Sequence, residues 1–320
     1  MAGLCLLVLC IDIIWPKNRG KRASYVALIG TAIGLWVTMR LWNTDPITGF
    51  GGMVFLDNYA LFFNLLFLTG TGLTIFISSE FLEREDAGRS EYYVLILAAT
   101  LGMMLMAAGA DLIVIFLGLE LMSLALYILV GFFRQRKESN EASLKYLLLG
   151  AFATGFLLYG IALIYGATGT TNLREIELAL AQGRENSHLM LLGGVALLIV
   201  GFAFKVSAVP FHMWAPDVYQ GAPTGITAFM SAGPKAAGFA VFFRVLHAAL
   251  GDLSGNWSQA IWVLAALTMT VGNLGALSQR NIKRMLAYSP EAVYTRLGTG
   301  PRAHARGGRR RSGAGHQQGG

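Results

Sequence analysis

The sequence predicts an all-α polytopic membrane protein with about nine transmembrane helices. Hydrophobic residues make up 55% of the 320 residues and charged residues only 13%, whereas soluble domains carry about 25% charged residues. The mean hydropathy is +0.55. Apolar stretches recur along the chain, most of them near the ~20 residues that an α-helix needs to cross a bilayer. We therefore expect an integral membrane protein built from these stretches.

The predicted transmembrane helices cover residues 1–15, 24–42, 59–81, 92–108, 112–133, 144–166, 189–209, 224–250 and 257–277. The first stretch rises only about 22 Å, which is short of a bilayer core of about 30 Å. A further segment, 173–181, places Leu173, Ile176 and Leu180 at helical spacing. It predicts a short amphipathic helix at the membrane surface.

The loops alternate in basic content, which predicts the orientation of the chain. WPKNRGKR, the 80–91 loop, RQRKESNEASLK and SQRNIKR carry four, two, four and three basic residues. Basic loops face the cytoplasm in membrane proteins. We therefore expect these four loops on the cytoplasmic side and the N-terminus outside.

The tail after Ser289 differs in composition from the rest of the chain. It holds six arginines and one acidic residue, whereas the preceding body has 19 basic and 17 acidic residues. The net charge of +7 therefore arises mostly in a Gly- and Arg-rich tail for which disorder is expected, and it indicates no nucleic-acid partner. Cys5 and Cys10 lie in the first apolar stretch and are interpreted as small hydrophobic residues, with neither a disulfide framework nor a metal site.

A lysine and a proline mark the seventh stretch. Lys205 ends the apolar body of this stretch, and Pro210 follows five residues later. A lysine in hydrocarbon costs about 2.5–3.5 kcal/mol, and a proline in a helix leaves one carbonyl without its partner. A charge beside a broken helix is typical of ion pathways in membrane proteins. The alternative is that Lys205 reaches from a helix end to the membrane surface.

Two further stretches each carry one ionisable residue near the middle. Glu120 lies about 12 Å of helical rise into the fifth stretch, and Lys235 lies in the eighth, directly after Pro234. We interpret Pro234 as a second helix break. An acid and two bases at comparable depth favour mutual pairing around a hydrated interior that moves protons. A static ion cluster that joins the helices is the alternative.

Other polar residues are secondary candidates. His212 follows the predicted break, and we interpret it as gating or structural rather than as a proton relay. Lys145 lies at the start of the sixth helix, where snorkelling to the interface is favoured over a role in proton entry. The sequence shows no Gly-rich nucleotide turn after a strand, no cysteine cluster for iron–sulfur and no histidine pair suited to haem. No redox cofactor is therefore expected on this chain.

The segment FKVSAVPFHMWAPDVYQGAP, residues 204–223, resembles the seventh-helix signature of the antiporter-like subunits of respiratory complex I, the proton-translocating NADH–quinone oxidoreductase. Its VYQGAP ending and Lys235 most resemble the N-subunit branch of that family. The resemblance extends over roughly 11–289. It implies the first half of an inverted-repeat fold with a broken seventh helix, and a longer first helix than the one present.

The resemblance also implies roles for individual residues. The family's glutamate in helix five matches Glu120, and its lysines in helices seven and eight match Lys205 and Lys235. The family passes the proton on to a lysine in helix twelve, which this chain does not reach. We therefore expect a proton-translocating subunit whose NADH, FMN, iron–sulfur clusters and quinone belong to partner subunits, in the bacterial inner membrane. The implied division is helices 1–3 in 1–90, the first repeat in 91–250, helix 9 and the start of the second repeat in 251–289, and an out-of-frame tail in 290–320.

Three alternatives remain at this point. The first is a cation/proton antiporter or a membrane-bound hydrogenase subunit, because these proteins share the lysines and the broken helix. The second is a purely structural membrane scaffold. The third is an inactive truncated product, since the resemblance stops at Ser289.

Overall fold

The computed structural model of the chain describes residues 1–14, 19–85 and 90–288. The described part is almost entirely helical, with one small hairpin. Its elements are α1 Ala2–Ile14, α2 Arg19–Arg40, β1 Ile47–Gly49, β2 Val54–Leu56, α3 Asn58–Arg84, α4 Ser90–Ala108, α5 Leu112–Val130, α6 Lys137–Thr168, α7 Leu173–Ala181, α8 His188–Lys205, α9 Ala215–Gly221, α10 Thr224–Arg244, α11 Ser254–Leu277 and α12 Ile282–Ala287. The tail predicted for 290–320 lies outside the described residues.

Eight of the described helices are long and apolar enough to cross a membrane, namely α2, α3, α4, α5, α6, α8, α10 and α11. Each corresponds to a predicted stretch, and the ninth prediction corresponds to α1, which has only 13 residues. Helices α2 and α6 begin earlier than predicted, at Arg19 and Lys137. Charged residues extend these two helices because a helix satisfies its own backbone hydrogen bonds as it leaves the membrane.

The chain connections define two ends of the bundle. At the end that carries many basic residues, called the basic end, lie the end of α1, the start of α2, the end of α3, the start of α4, the α5–α6 connection, helix α9 and helix α12. At the distal end lie the hairpin, the α4–α5 and α10–α11 connections and helix α7, whose bounds agree with the predicted amphipathic segment. The β1–β2 hairpin was not predicted; it is antiparallel and pairs Ile47 with Leu56.

Close helix crossings depend on glycines. In the α4–α5 crossing, a Cβ at Gly102 would lie 2.5 Å from the carbonyl oxygen of Gly118. In the α6–α8 crossing, a Cβ at Gly160 would lie 2.9 Å from the carbonyl oxygen of Gly194. Small residues allow helix backbones to approach closely in membranes, where packing rather than the hydrophobic effect drives association. These two crossings place α5 and α8 on either side of the polar residues described below.

The predicted break in the seventh helix is confirmed. Helix α8 ends at Lys205, and helical structure resumes only at Ala215 in α9. The break therefore begins five residues before Pro210. The second predicted break is wrong, because α10 runs through Pro234 without interruption. The carbonyl that Pro234 leaves without its helical partner is that of Met230, and it accepts a hydrogen bond from the Tyr219 hydroxyl at 3.0 Å.

Ion pairs at the basic end hold the short helix α9 in place. Asp217 of α9 accepts a hydrogen bond from Lys145 of α6 at 2.9 Å and another from Arg284 of α12 at 2.9 Å. Glu141 pairs with the same Lys145 at 2.8 Å. The hydrogen bond from Lys145, with the nearby charge of Arg284, holds the pKa of the Asp217 carboxyl below its usual value. Helix α9 is thereby bonded to two other helices through one carboxylate.

We expect Gly102→Ala to destabilise the fold, because the new methyl group meets the backbone of α5. Overpacking of this kind costs about 1–3 kcal/mol. Thermal unfolding in detergent should show a lower midpoint for this variant. The matched control is Gly155→Ala in α6, where a Cβ meets nothing within 4 Å. Equal midpoints for the two variants would contradict the close α4–α5 crossing.

We expect Asp217→Asn to lower the thermal midpoint at neutral pH, because the two cations lose their carboxylate. A carboxyl with a lowered pKa stabilises the fold above its unfolded pKa and loses that contribution as pH falls through its folded pKa. The gap between wild type and variant should therefore close in acid. Thermal scans from pH 7 to pH 3 measure this, with the exposed Asp252→Asn as the control. A gap that is independent of pH would argue against the ion pairs.

Candidate functional site

Lys205 is the last residue of α8, and its side chain is buried against α5. Only 5% of its surface is exposed. Its Nζ donates to the Ser123 hydroxyl at 2.7 Å and to the Tyr127 hydroxyl at 3.4 Å. The same Nζ lies 5.7 Å from the ring centroid of Tyr127 and 5.9 Å from that of Phe204. Hydroxyl oxygens and ring faces therefore surround the ammonium, and snorkelling to the membrane surface is not what the structure shows.

Glu120 lies on the same face of α5 as these partners of Lys205. Positions 120, 123 and 127 follow the i, i+3, i+7 spacing of one helix face. Glu120 is half-buried and accepts a hydrogen bond from Thr154 of α6 at 2.8 Å. Lys205 is hydrogen-bonded to Ser123, one turn further along α5, and the Glu120 charge acts on it by a coulombic interaction. The structure therefore brings Glu120 and Lys205 close together without a direct ion pair between them.

Lys235 is equally buried but occupies a different environment. Its exposed fraction is 5%, its Nζ lies 4.9 Å from the ring centroid of Tyr219, and it donates to the carbonyl of Ala287 at 3.1 Å. Ala287 ends α12, which lies in the segment 251–289 that follows the predicted first repeat. Lys235 therefore bonds to the segment that follows that repeat, and the three predicted charges do not form one compact cluster.

His212 lies within the break, beside a small cavity of about 10 Å³ whose lining includes Ser207, His212, Thr268, Ala287 and Tyr288. This volume holds about one water molecule. Within the described residues, the Ser207 hydroxyl and Nδ1 of His212 are buried without a hydrogen-bond partner. The nitrogens of an imidazole can donate and accept hydrogen bonds, which suits this side chain to a water molecule in the cavity.

Lys145 lies at the basic end, where 43% of its side chain is exposed and it pairs with Glu141 and Asp217. Between Lys145 and Lys205 lie two stacked aromatic rings. Tyr146 and Trp214 have ring centroids 4.5 Å apart and an interplanar angle of 9°.

Several residues of this site were not among the predicted site residues. Ser123, Tyr127 and Thr154 hold the two charges, and Asp217 joins α9 to its neighbours. A signal for the first two exists in the sequence, since they follow Glu120 at helical spacing. Thr154 carries no such signal, because it lies on another helix and is 34 residues away.

Comparison with known proteins places the chain in a family. Residues 109–292 match the family described as NADH:quinone oxidoreductase/Mrp antiporter, transmembrane region. The matched range includes Glu120, Lys205 and Lys235.

Relatives and solved structures agree with this match. The chain is 51% identical over 289 residues to NADH-quinone oxidoreductase subunit N of Trichlorobacter lovleyi, which covers 90% of this chain and 59% of the relative. It is also 51% identical over 289 residues to subunit N 2 of Roseiflexus castenholzii, with 90% and 58% covered. The chain thus spans about three fifths of the length of these relatives.

Among solved structures, a chain of respiratory complex I from Thermus thermophilus with bound aureothin is 36% identical with a TM-score of 0.77, and 92% of this chain and 61% of that chain are covered. A chain of the archaeal membrane-bound sulfane sulfur reductase is 28% identical with a TM-score of 0.80, and 93% and 62% are covered. A chain of the Mrp complex from Dietzia is 23% identical with a TM-score of 0.75, with 93% and 57% covered, and shows the shared fold. The chain is a multi-pass helical bundle with a broken seventh membrane helix, and the family match covers more than half of its length. The chain therefore belongs to the NADH:quinone oxidoreductase/Mrp antiporter transmembrane family.

Proposed function

We propose that the chain is an N-type membrane subunit of NADH–quinone oxidoreductase and that it translocates protons. The observation that carries this proposal is the buried ammonium of Lys205, which lies at a broken helix within the electrostatic reach of Glu120. A static scaffold gains nothing from a buried lysine without a directly bonded carboxylate, since an uncompensated buried charge is costly. The resemblance to N subunits of two bacteria supports the assignment.

The arrangement acts as a switch for one proton. When the Glu120 carboxylate approaches, its attraction favours the protonated form of Lys205. When it withdraws toward Thr154, burial in a medium of low polarity favours release of the proton. Two unit charges 6 Å apart interact with about 3 kcal/mol at an effective dielectric near 20. Moving one charge against 100 mV costs about 2.3 kcal/mol, so a movement of Glu120 supplies energy on the required scale.

The next proton carrier in this proposal is Lys235. The break separates it from Lys205, and the cavity beside His212 lies between the break and Ala287, the residue that Lys235 contacts. A water molecule in that cavity, hydrogen-bonded to Ser207 and His212, would extend the polar path toward α12. The imidazole of His212 acts as an orienting or gating group, and relay through it is secondary.

Electron transfer belongs to other subunits in this proposal. NADH, FMN, the iron–sulfur clusters and quinone are bound by partners, and this chain contacts other membrane subunits of the complex. The basic end faces the cytoplasm of a bacterial cell, so the N-terminus lies on the opposite side of the inner membrane.

We expect Lys205→Ala to abolish the share of proton transport that passes through this subunit while the complex still assembles. NADH-driven proton uptake, measured with a pH-sensitive dye in inside-out membrane vesicles that contain the assembled complex, tests this. The matched control is Lys21→Ala, which removes a surface lysine paired with Glu83 at 3.1 Å. If proton uptake per NADH oxidised is unchanged in Lys205→Ala, the chain is a structural scaffold and does not translocate protons.

We expect Glu120→Gln to slow proton uptake and Glu120→Asp to retain part of it. The amide cannot attract the lysine, whereas the shorter carboxylate still can. Thr154 donates to either side chain, so the packing of α5 on α6 is kept. Equal rates for the two variants, in the same vesicles and with equal amounts of complex, would show that the charge of Glu120 plays no part.

A further inference from the structure

We propose that Tyr146 and Trp214 form a gate that closes the path from the basic end of the bundle to Lys205. The proposal deepens the proposed function, and it rests on that function for the identity of the ion. The gate is a barrier to water, and the access of water to the Lys205 site can be measured independently of proton transport.

The first support is the position of the stacked pair. Tyr146 lies eight residues before Thr154 on α6, about 12 Å of helical rise from the level of Glu120 toward the basic end. Lys145 is the adjacent residue, and Asp217 follows Trp214 by three positions; both are more than one third exposed. The solvated ion pair and the buried lysine therefore lie on opposite sides of the two rings.

The second support is the packing of two further rings around the stacked pair. Tyr127, Tyr146, Phe204 and Trp214 form what we call the aromatic wall. Tyr127 meets Tyr146 edge to face at 4.7 Å, and Phe204 stacks with Trp214 at 5.5 Å. The exposed fractions of the four residues are between 2% and 7%. Close packing of buried rings excludes water from the space between them.

The third support is the way in which Trp214 is attached. Its indole Nε1 donates to the carbonyl of Phe204 at 3.0 Å, so the ring is bonded to the residue next to Lys205. Trp214 itself lies at the end of the non-helical segment 206–214. A side chain on such a segment moves without unwinding a helix, whereas Tyr146 is held within α6. Movement of the break therefore carries the indole away from Tyr146 and opens the path.

The fourth support is the set of ion pairs that holds helix α9 next to the gate. Helix α9 begins directly after Trp214 and is bonded through Asp217 to α6 and α12. These bonds hold the indole in the closed position. The same contacts give α12 a mechanical connection to the gate.

The experiment measures the access of water-soluble reagent to position 123, next to Lys205. The full chain is prepared with Cys5→Ala, Cys10→Ala and Ser123→Cys and placed in lipid nanodiscs. The probe is an anionic, membrane-impermeant methanethiosulfonate, and mass spectrometry gives the modification rate. We expect Trp214→Ala and Tyr146→Ala to raise this rate about tenfold or more, which corresponds to a fall of about 1.4 kcal/mol in the free energy of opening.

Two control variants make the result specific. Tyr146→Phe keeps the stacked ring, and Trp262→Ala removes a tryptophan of α11 that is 61% exposed. Neither should change the rate. An unchanged rate in both Trp214→Ala and Tyr146→Ala would overturn the gate, and so would an equal rise in Trp262→Ala, which would indicate general loosening. Because the two alanine variants remove opposite partners, either one that elutes as a folded monodisperse protein decides the outcome.

Passive proton leak separates the gate from the proposed function. In liposomes, Trp214→Ala should raise the leak, and the double variant with Lys205→Ala should return it to the wild-type level. Faster labelling without a raised leak would confirm the gate and show that opening it alone does not let protons cross this chain by way of Lys205. Slow labelling in all variants would contradict the gate and leave the proposed function standing.

Discussion

The fold depends on how an ammonium ion is accommodated inside a bundle of apolar helices. Lys205 is 5% exposed, and a lysine at this depth costs about 2.5–3.5 kcal/mol unless it is provided with partners. The partners come from one face of α5, where Ser123 and Tyr127 accept its hydrogen bonds. The carboxylate of Glu120 lies on that same face and acts through space, so the charge is stabilised without being locked in an ion pair.

The break in the seventh membrane helix follows from the same constraint. In a continuous helix the carbonyl of Phe204 would accept the backbone N–H of Ala208, and Trp214 would lie on a regular turn. Because α8 ends at Lys205, the carbonyl of Phe204 becomes available to the Trp214 indole. Backbone groups at membrane depth require such partners. Pro234 shows the contrasting outcome, since the Tyr219 hydroxyl bonds to the Met230 carbonyl and α10 continues.

The two buried lysines are held by different parts of the molecule. Lys205 belongs to the α5–α8 interface, whereas Lys235 bonds to the carbonyl of Ala287 at the end of α12. The segment between them contains His212, which lines the small cavity, and Trp214, one residue of the aromatic wall. A movement of the break therefore alters the surroundings of both lysines at once, which is a property that a rigid ion cluster would lack.

The sequence by itself determined the membrane class, the nine apolar helices, the short helix 173–181 and the break near Pro210, because hydropathy and proline act locally along the chain. It also singled out Glu120, Lys205 and Lys235, because ionisable residues are rare in apolar stretches. Only the tertiary structure decided that Glu120 and Lys205 are neighbours, that Lys235 contacts α12, and that Pro234 does not break its helix. These outcomes depend on which helices pack together and on hydroxyls such as that of Tyr219, 11 residues away from the carbonyl it satisfies. Helical periodicity assigns a face to each residue, but it cannot state which face of another helix lies opposite.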